Sequence, residues 1–342
     1  MIDPLFKKLV DIPSISGSES VFQQQVAAEL RDCGEVKFED TLNNYTVQVG
    51  NGPQKVMITA HSDEVGFIIT YVSDDGFIFF QPVGGIDPDI AVGQVVSILT
   101  KTGPVPGIIA RAEQWDTASA ETSDDITPYK ELWIDIGNNT HTSEIVSIGD
   151  PVVYDFSIKE IGNNYLLARG SDDKLGVFTV IKLIQSFAKT PNPNITLFGV
   201  TSTQEEVGSR GMQPAVFHIQ PKYSIIIDTM VATDIPIGDR EEIGQVSLGA
   251  GPVLSRGGNT NEDLFFLFKQ FAEQSKISYQ IEAEAGPTAT DADTAQISGL
   301  GSATIVVSIP VRYTHFPAQV VCWSDVDNCI KLLQTFLSNI RE

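Results

Sequence analysis

The chain has 342 residues, with 22 Lys and Arg against 44 Asp and Glu, and a formal net charge of −22. That charge argues against nucleic-acid or anionic-membrane partners, whose phosphates must be neutralised by Lys and Arg. The length fits two domains, or one large domain carrying an insertion, and 42% hydrophobic residues are enough for a substantial core.

In chain order, Asp3 caps and Pro4 opens a first helix that runs through Val10. Ser18 is read as the cap of a second helix with Phe22, Val26 and Leu30 on one side. Residues 55–60 are short, apolar and β-branched, and the strand they predict stops at His61. From Gly66 to Asn164, strand-like runs at 76–80, 95–99 and 107–110 alternate with Gly, Pro and Asp turns, which predicts a small all-β domain. Within it, residues 113–129 are acidic and rich in Ser, Thr and Ala, and read as a solvated loop.

After Gly170 strand and helix alternate. Residues 174–187 form a helix apolar nearly all round, while 195–201, 223–227 and 303–308 read as strands. A last helix, capped by Ser324, buries Val326, Cys329, Ile330, Leu333, Phe336 and Leu337. The expected fold is α/β: a mostly parallel central sheet covered by helices, built from 1–65 and 165–342, with an inserted β barrel at 66–164. The start of the chain lacks a basic stretch followed by an apolar run, and no apolar stretch approaches the ~20 residues of a membrane helix, so a cytoplasmic location is expected. Cys33, Cys322 and Cys329 read as packing residues.

Chemistry-bearing residues gather at the ends of the expected strands. His61 closes the strand 55–60, Asp228 closes 223–227, Glu205-Glu206 follows 195–201, and His315 lies beyond 303–308. Asp172-Asp173 stands at the entry to the buried helix. Ligands of open α/β sheets bind outside the carboxyl ends of the strands. Two His and three acids suit a pair of divalent ions about 3.5–4 Å apart that share one carboxylate, and zinc accepts such N and O donors. A further carboxylate must take a proton from water, and adjacent Glu205 and Glu206 can divide the roles of base and ligand. His141 reads as a surface residue and His218 as a semi-buried structural one. There is no Gly-x-x-x-x-Gly-Lys-Ser/Thr, His-Glu-x-x-His or Gly-x-Ser-x-Gly motif.

The segments Thr59-Ala60-His61-Ser62-Asp63-Glu64-Val65-Gly66, Asp172-Asp173-Lys174-Leu175-Gly176, Gln204-Glu205-Glu206-Val207-Gly208-Ser209-Arg210-Gly211 and Arg312-Tyr313-Thr314-His315 resemble the successive signatures of the glutamyl and deblocking, tetrahedral-type aminopeptidases, metallopeptidase family 42. The likeness covers nearly the whole chain, with Gly84-Gly85-Ile86-Asp87 and Trp133-Ile134-Asp135-Ile136-Gly137 similar to the family's PDZ-like β domain. The resemblance implies an aminopeptidase with two divalent ions per subunit, zinc, cobalt or manganese. His61 and Asp228 would hold one ion, Glu206 and His315 the other, and Asp172 would bridge them across a cis Asp172–Asp173 peptide. Glu205 would be the general base and Asp63 would orient His61. Peptide substrates and self-association through the β domain, from dimer to dodecamer, are implied as well. The chain departs from the family at Lys174 (usually Arg), Phe316 (usually Ser), Ala289 (usually Gly) and around Glu113-Gln114, where a histidine is common. Two rival readings are a metal-independent glycoside hydrolase, whose carboxyls must flank a sugar about 5–9.5 Å apart, and a non-catalytic metal- or peptide-binding relative.

Overall fold

The computed structural model describes residues 2–36, 40–112, 127–137 and 141–341. Most of the expected acidic loop, and the departure around Glu113-Gln114, lie outside the described residues. Four apolar strands, Ile195–Ser202, Gln54–His61, Tyr223–Val231 and Ala303–Arg312, stand side by side and parallel. They are buried on both faces, which is why their sequences run apolar without alternation. Antiparallel neighbours flank them: Tyr45–Val49 beside Ile195–Ser202, and Gln319–Cys322 then Tyr165–Ala168 beyond Ala303–Arg312. The eleven-stranded sheet is therefore parallel at its centre and mixed as a whole.

The long helix Ser171–Lys189 packs on one face with the helices Pro4–Asp11, Ser20–Leu30 and Trp323–Asn339, joined by Glu262–Ser275. Its Leu175, Val177, Val180, Ile181 and Ile184 are almost fully buried. At roughly 1.5–3 kcal/mol for each such side chain, they are a large part of what holds helix to sheet. Met212–Ile219 and Asp291–Ile297 cover the other face through Met212, Ala215, Ala292 and Ala295.

Gly66–Val72, Ile78–Val83, Leu132–Asp135, Gly103–Arg111, Val95–Thr100 and Pro151–Tyr154 close, in that order, into an antiparallel barrel. Phe67 fills it, edge-on to Phe80 at 4.9 Å and to Tyr154 at 5.4 Å between centroids. Lys159–Ile161 already pairs with Tyr165–Ala168 in the larger sheet.

Three local expectations need correction. The second helix begins at Ser20 with Glu19, not Ser18, at its N-cap, and Glu19 makes no cap bond there but accepts from the N–H groups of Gly17 and Gln204. The last helix starts at Trp323 after Cys322, so Ser324 lies inside it. His218 is exposed on Met212–Ile219, whose buried side is Met212, Ala215, Val216 and Ile219.

Candidate metal centre

Strand register brings the first residues together. His61 is the last residue of its strand and pairs with Ser202, while Thr59 pairs with Ile226, which sets Asp228 level with His61. Two further groups arrive from the loops. Asp172 sits where the strand Tyr165–Ala168 gives way to the long helix, in backbone that is not yet helical, and the Asp172–Asp173 peptide is cis. His315 follows Ala303–Arg312 in a turn where Tyr313 and His315 both have positive φ, +64° and +65°.

Asp172 lies between the two imidazoles. Its Oδ1 is 3.2 Å from His61 Nε2 and its Oδ2 is 3.4 Å from His315 Nε2. Glu206 Oε2 is also 3.4 Å from His315 Nε2, and Asp228 Oδ1 is 4.0 Å from His61 Nε2. Donor atoms of His61, Asp172 and Glu206 lie within 4.8 Å of one another, and so do those of His61, Asp173 and Asp228. The outer imidazole nitrogens fix the tautomers. Nδ1 of His61 faces the Asp63 carbonyl at 3.1 Å and Nδ1 of His315 faces the Gly85 carbonyl at 2.6 Å. A carbonyl only accepts, so both Nδ1 atoms carry hydrogen, and both Nε2 atoms point inward, where a cation would take the place of the proton each shares with Asp172.

Asp63 is wholly buried and reaches beyond His61: its carboxylate accepts from Ser16 Oγ at 2.6 Å and from the N–H groups of Glu205 and Glu206. The backbone N–H of Asp172 donates to Gln319 Oε1 at 3.0 Å. Glu205 accepts from Ser209 Oγ at 3.1 Å.

Charge at this sheet edge is unbalanced. Burial, reinforced by neighbouring carboxylates, pushes Glu205 up to about 9 and Glu206 to about 8, and raises Asp228 and Asp173 well above the usual range. Burial works against Asp172 too, but hydrogen bonds from His315 and His61 hold its carboxyl well below the ordinary value. Among the described residues, Asp172, Asp228 and Glu206 form ion pairs only with the two histidines. Glu206 Oε1 and Asp173 Oδ2 are buried with no hydrogen-bond partner. Crowded carboxylates, inward imidazole nitrogens and orphaned oxygens fit divalent cations bound through N and O.

The structure thus gathers His61, Asp172, Glu206, Asp228 and His315 at one place, with Glu205 and Asp63 beside them. Sequence reasoning did not single out the ligand-type position of Asp173, whose signal was only a doubled acid. Nor did it find Gln319, Ser16 or the Gly85 carbonyl, none of which carries a local pattern.

The sequence model of the family described as M42 glutamyl aminopeptidase matches residues 43–332. A putative aminopeptidase of Acetivibrio thermocellus is 31% identical, with 96% of each chain covered. Among solved structures, an aminopeptidase from the archaeon Desulfurococcus kamchatkensis superposes with a TM-score of 0.89 at 28% identity, covering 98% of this chain and 94% of its own. The Pyrococcus horikoshii TET1 peptidase, described as able to assemble into a tetrahedron or a large octahedral shell, gives 0.87 at 28% identity, covering 98% and 99%.

Proposed function

The chain belongs to the M42 glutamyl aminopeptidase family, and on that premise we propose that it removes N-terminal residues from peptides with the help of two divalent cations. The observation that carries the reading is Asp172, with one carboxylate oxygen turned to His61 and the other to His315. In this reading His61 and Asp228 would hold one cation, Glu206 and His315 the other, and Asp172 would be shared between them. Zinc suits the donor set best, with cobalt or manganese as substitutes. The cations, when bound, supply a Lewis acid for the scissile carbonyl and acidify water.

The protein's own groups do the rest. Glu205, beside the ligands yet not among them, takes the proton of the attacking water and passes it to the departing amine. The carbonyls of Asp63 and Gly85 hold the imidazoles so that their inner nitrogens face the cations. The acidic surroundings favour a cationic free amine on the substrate, which suits cleavage from the N-terminus. We further propose that the barrel inserted within 66–164 mediates assembly of subunits, up to a dodecamer. Among the described residues no helix is long and apolar enough to cross a membrane.

The test is hydrolysis of aminoacyl p-nitroanilides by the full chain, stripped with chelator and then reloaded with Zn2+, Co2+ or Mn2+. Activity should vanish on stripping, return on reloading, and be lost when the substrate amine is acetylated. Turnover indifferent to chelator would sink the metal reading, and a glycoside hydrolase would show that indifference on sugars. A loaded protein inert to every free-amine substrate would leave only a binding role.

A further inference from the structure

The two adjacent acids sit on a turn whose backbone is gripped from outside. Gln204 has φ +57°, and the N–H groups of three successive residues are directed to carboxylates. Gln204 N–H donates to Glu19 Oε1 at 3.1 Å, Glu205 N–H to Asp63 Oδ1 at 3.0 Å and Glu206 N–H to Asp63 Oδ2 at 3.1 Å. Successive amides turned to one side make a concavity that attracts anions. Here the chain fills it with its own carboxylates. Residues 14–19 hold those carboxylates in turn: Ser16 Oγ donates to Asp63 Oδ2 at 2.6 Å, and Gly17 N–H shares Glu19 Oε1 at 2.8 Å. The stretch is itself anchored, since Ser14 and Glu64 exchange two hydrogen bonds, Ser14 N–H to Glu64 Oε1 at 3.0 Å and Glu64 N–H to the Ser14 carbonyl at 2.9 Å.

We infer that Glu19, seated in this N-terminal strap, is a positioning residue: it fixes Gln204 and through it the directions in which Glu205 and Glu206 leave the backbone. Glu19 is 4% exposed, precedes its helix, and makes no cap bond there. Its side chain has been diverted from the local helix to a turn 185 residues away. The consequence for turnover rests on the aminopeptidase reading, whereas the consequence for cation binding does not.

One oxygen of Glu19 accepts both N–H groups, so a neutral amide in its place keeps the acceptor and a methyl group removes it. The test compares the full-length wild type, Glu19→Ala and Glu19→Gln, each stripped of metal and titrated with Co2+ alone, read by calorimetry and visible absorption. Kinetics on aminoacyl p-nitroanilides run in parallel. Glu19→Ala should bind Co2+ about 10–100-fold more weakly, the loss typical when a ligand's outer partner is removed, with an altered spectrum and a fall in kcat larger than any rise in KM. Glu19→Gln should restore both. A Glu19→Ala protein that titrates like wild type, even if less heat-stable, overturns the inference, and so does Glu19→Gln as impaired as Glu19→Ala. If wild type hydrolyses no amide, the aminopeptidase reading falls while the Co2+ titration still decides on Glu19. Should Glu19→Ala fail to fold, Glu19→Asp, one methylene short of the Gln204 N–H, is read by the same two outcomes.

Discussion

His315 Nδ1 lies 2.6 Å from the carbonyl oxygen of Gly85, so a side chain of the proposed cation site is tied to the backbone just beyond a barrel strand. The neighbouring Gly84, at φ +83°, is equally close: a Cβ there would meet Val65 Cγ1 at 2.7 Å and Glu206 Oε2 at 3.3 Å. The barrel thus presses directly on two of the groups proposed to hold metal.

Gly84→Ala should therefore do two things. The left-handed backbone costs an ordinary residue about 1–3 kcal/mol, and the added methyl must push aside the Val65 side chain and crowd Glu206 against the cluster. Gly93 has a similar φ of +79°, and a methyl there would find nothing within 4 Å, so Gly93→Ala carries the backbone cost alone. Isothermal titration with Zn2+ should show weaker binding for Gly84→Ala and wild-type binding for Gly93→Ala. Equal affinities in the two variants would mean the barrel contact is irrelevant to the centre.

Cation removal should show in stability as a function of pH. Without metal, burial and nearby carboxylates raise Glu205 to about 9 and Glu206 to about 8 from 4.5. Burial opposes the rise of His315, yet its hydrogen bond to Asp172 and the charge of Glu206 lift it to about 9 from 6.5. All three bind protons more tightly folded than unfolded. Their contribution is whole below the unfolded values and is lost as pH rises through the folded ones. Asp172 runs the other way: its lowered carboxyl contributes above the unfolded value and loses that contribution in acid. The chelated protein should consequently lose Tm between about pH 5 and 9. Zn2+ should restore stability most at the alkaline end, where its ligands are already deprotonated, by about 2.7 kcal/mol at a hundredfold excess over Kd. A chelated protein whose Tm is flat or rises over that window contradicts the charge imbalance.

Glu205→Gln separates base from ligand. The substitution keeps size and the contact from Ser209 while removing the proton acceptor. Cation stoichiometry should stay as in wild type, and kcat should fall on the order of 10²–10⁴-fold. Loss of a bound ion in this variant would make Glu205 a ligand instead.

How much of this was legible beforehand follows from the kind of signal each part carries. Doubly buried parallel strands write themselves as apolar runs, and the run 55–60 ends on the histidine that the structure sets at the sheet edge. Asp172 and His315 were legible through their motifs, Asp172-Asp173-Lys174-Leu175-Gly176 and Arg312-Tyr313-Thr314-His315, because a doubled acid or a lone histidine carries little by itself. The antiparallel placement of the flanks was not legible, since Tyr45–Val49 and Gln319–Cys322 take their places by register with strands far away in the chain. Glu19 was hidden for a related reason. A local rule assigns the helix cap to Ser18, and only the fold shows that Glu19 serves a distant turn. His218 was misjudged because Val216-Phe217-His218-Ile219 looks apolar, although Phe217 itself is 61% exposed.

Glu64 offers the clearest stability prediction. It is 1% exposed and faces two buried cations, Lys174 Nζ at 2.7 Å and Arg169 Nε at 3.0 Å. Those cations are engaged elsewhere as well: Lys174 donates to the Ile12 carbonyl, Arg169 to the carbonyls of Val10 and Tyr154. The cluster therefore pins the N-terminal segment, the end of the barrel and the entry to the long helix around one carboxylate. Glu64→Ala strands two positive charges in a site closed to water, and breaking a buried pair in this way costs about 3–5 kcal/mol. Lys174→Met removes one cation while Arg169 still pairs with Glu64, so its loss should be clearly smaller despite deleting the same 2.7 Å contact. Burial already lowers the Lys174 ammonium to about 8, a sign that it gains little from being charged there. Urea unfolding of the metal-loaded proteins at neutral pH measures both. If Lys174→Met proves as damaging as Glu64→Ala, the carboxylate is not the hub of the cluster.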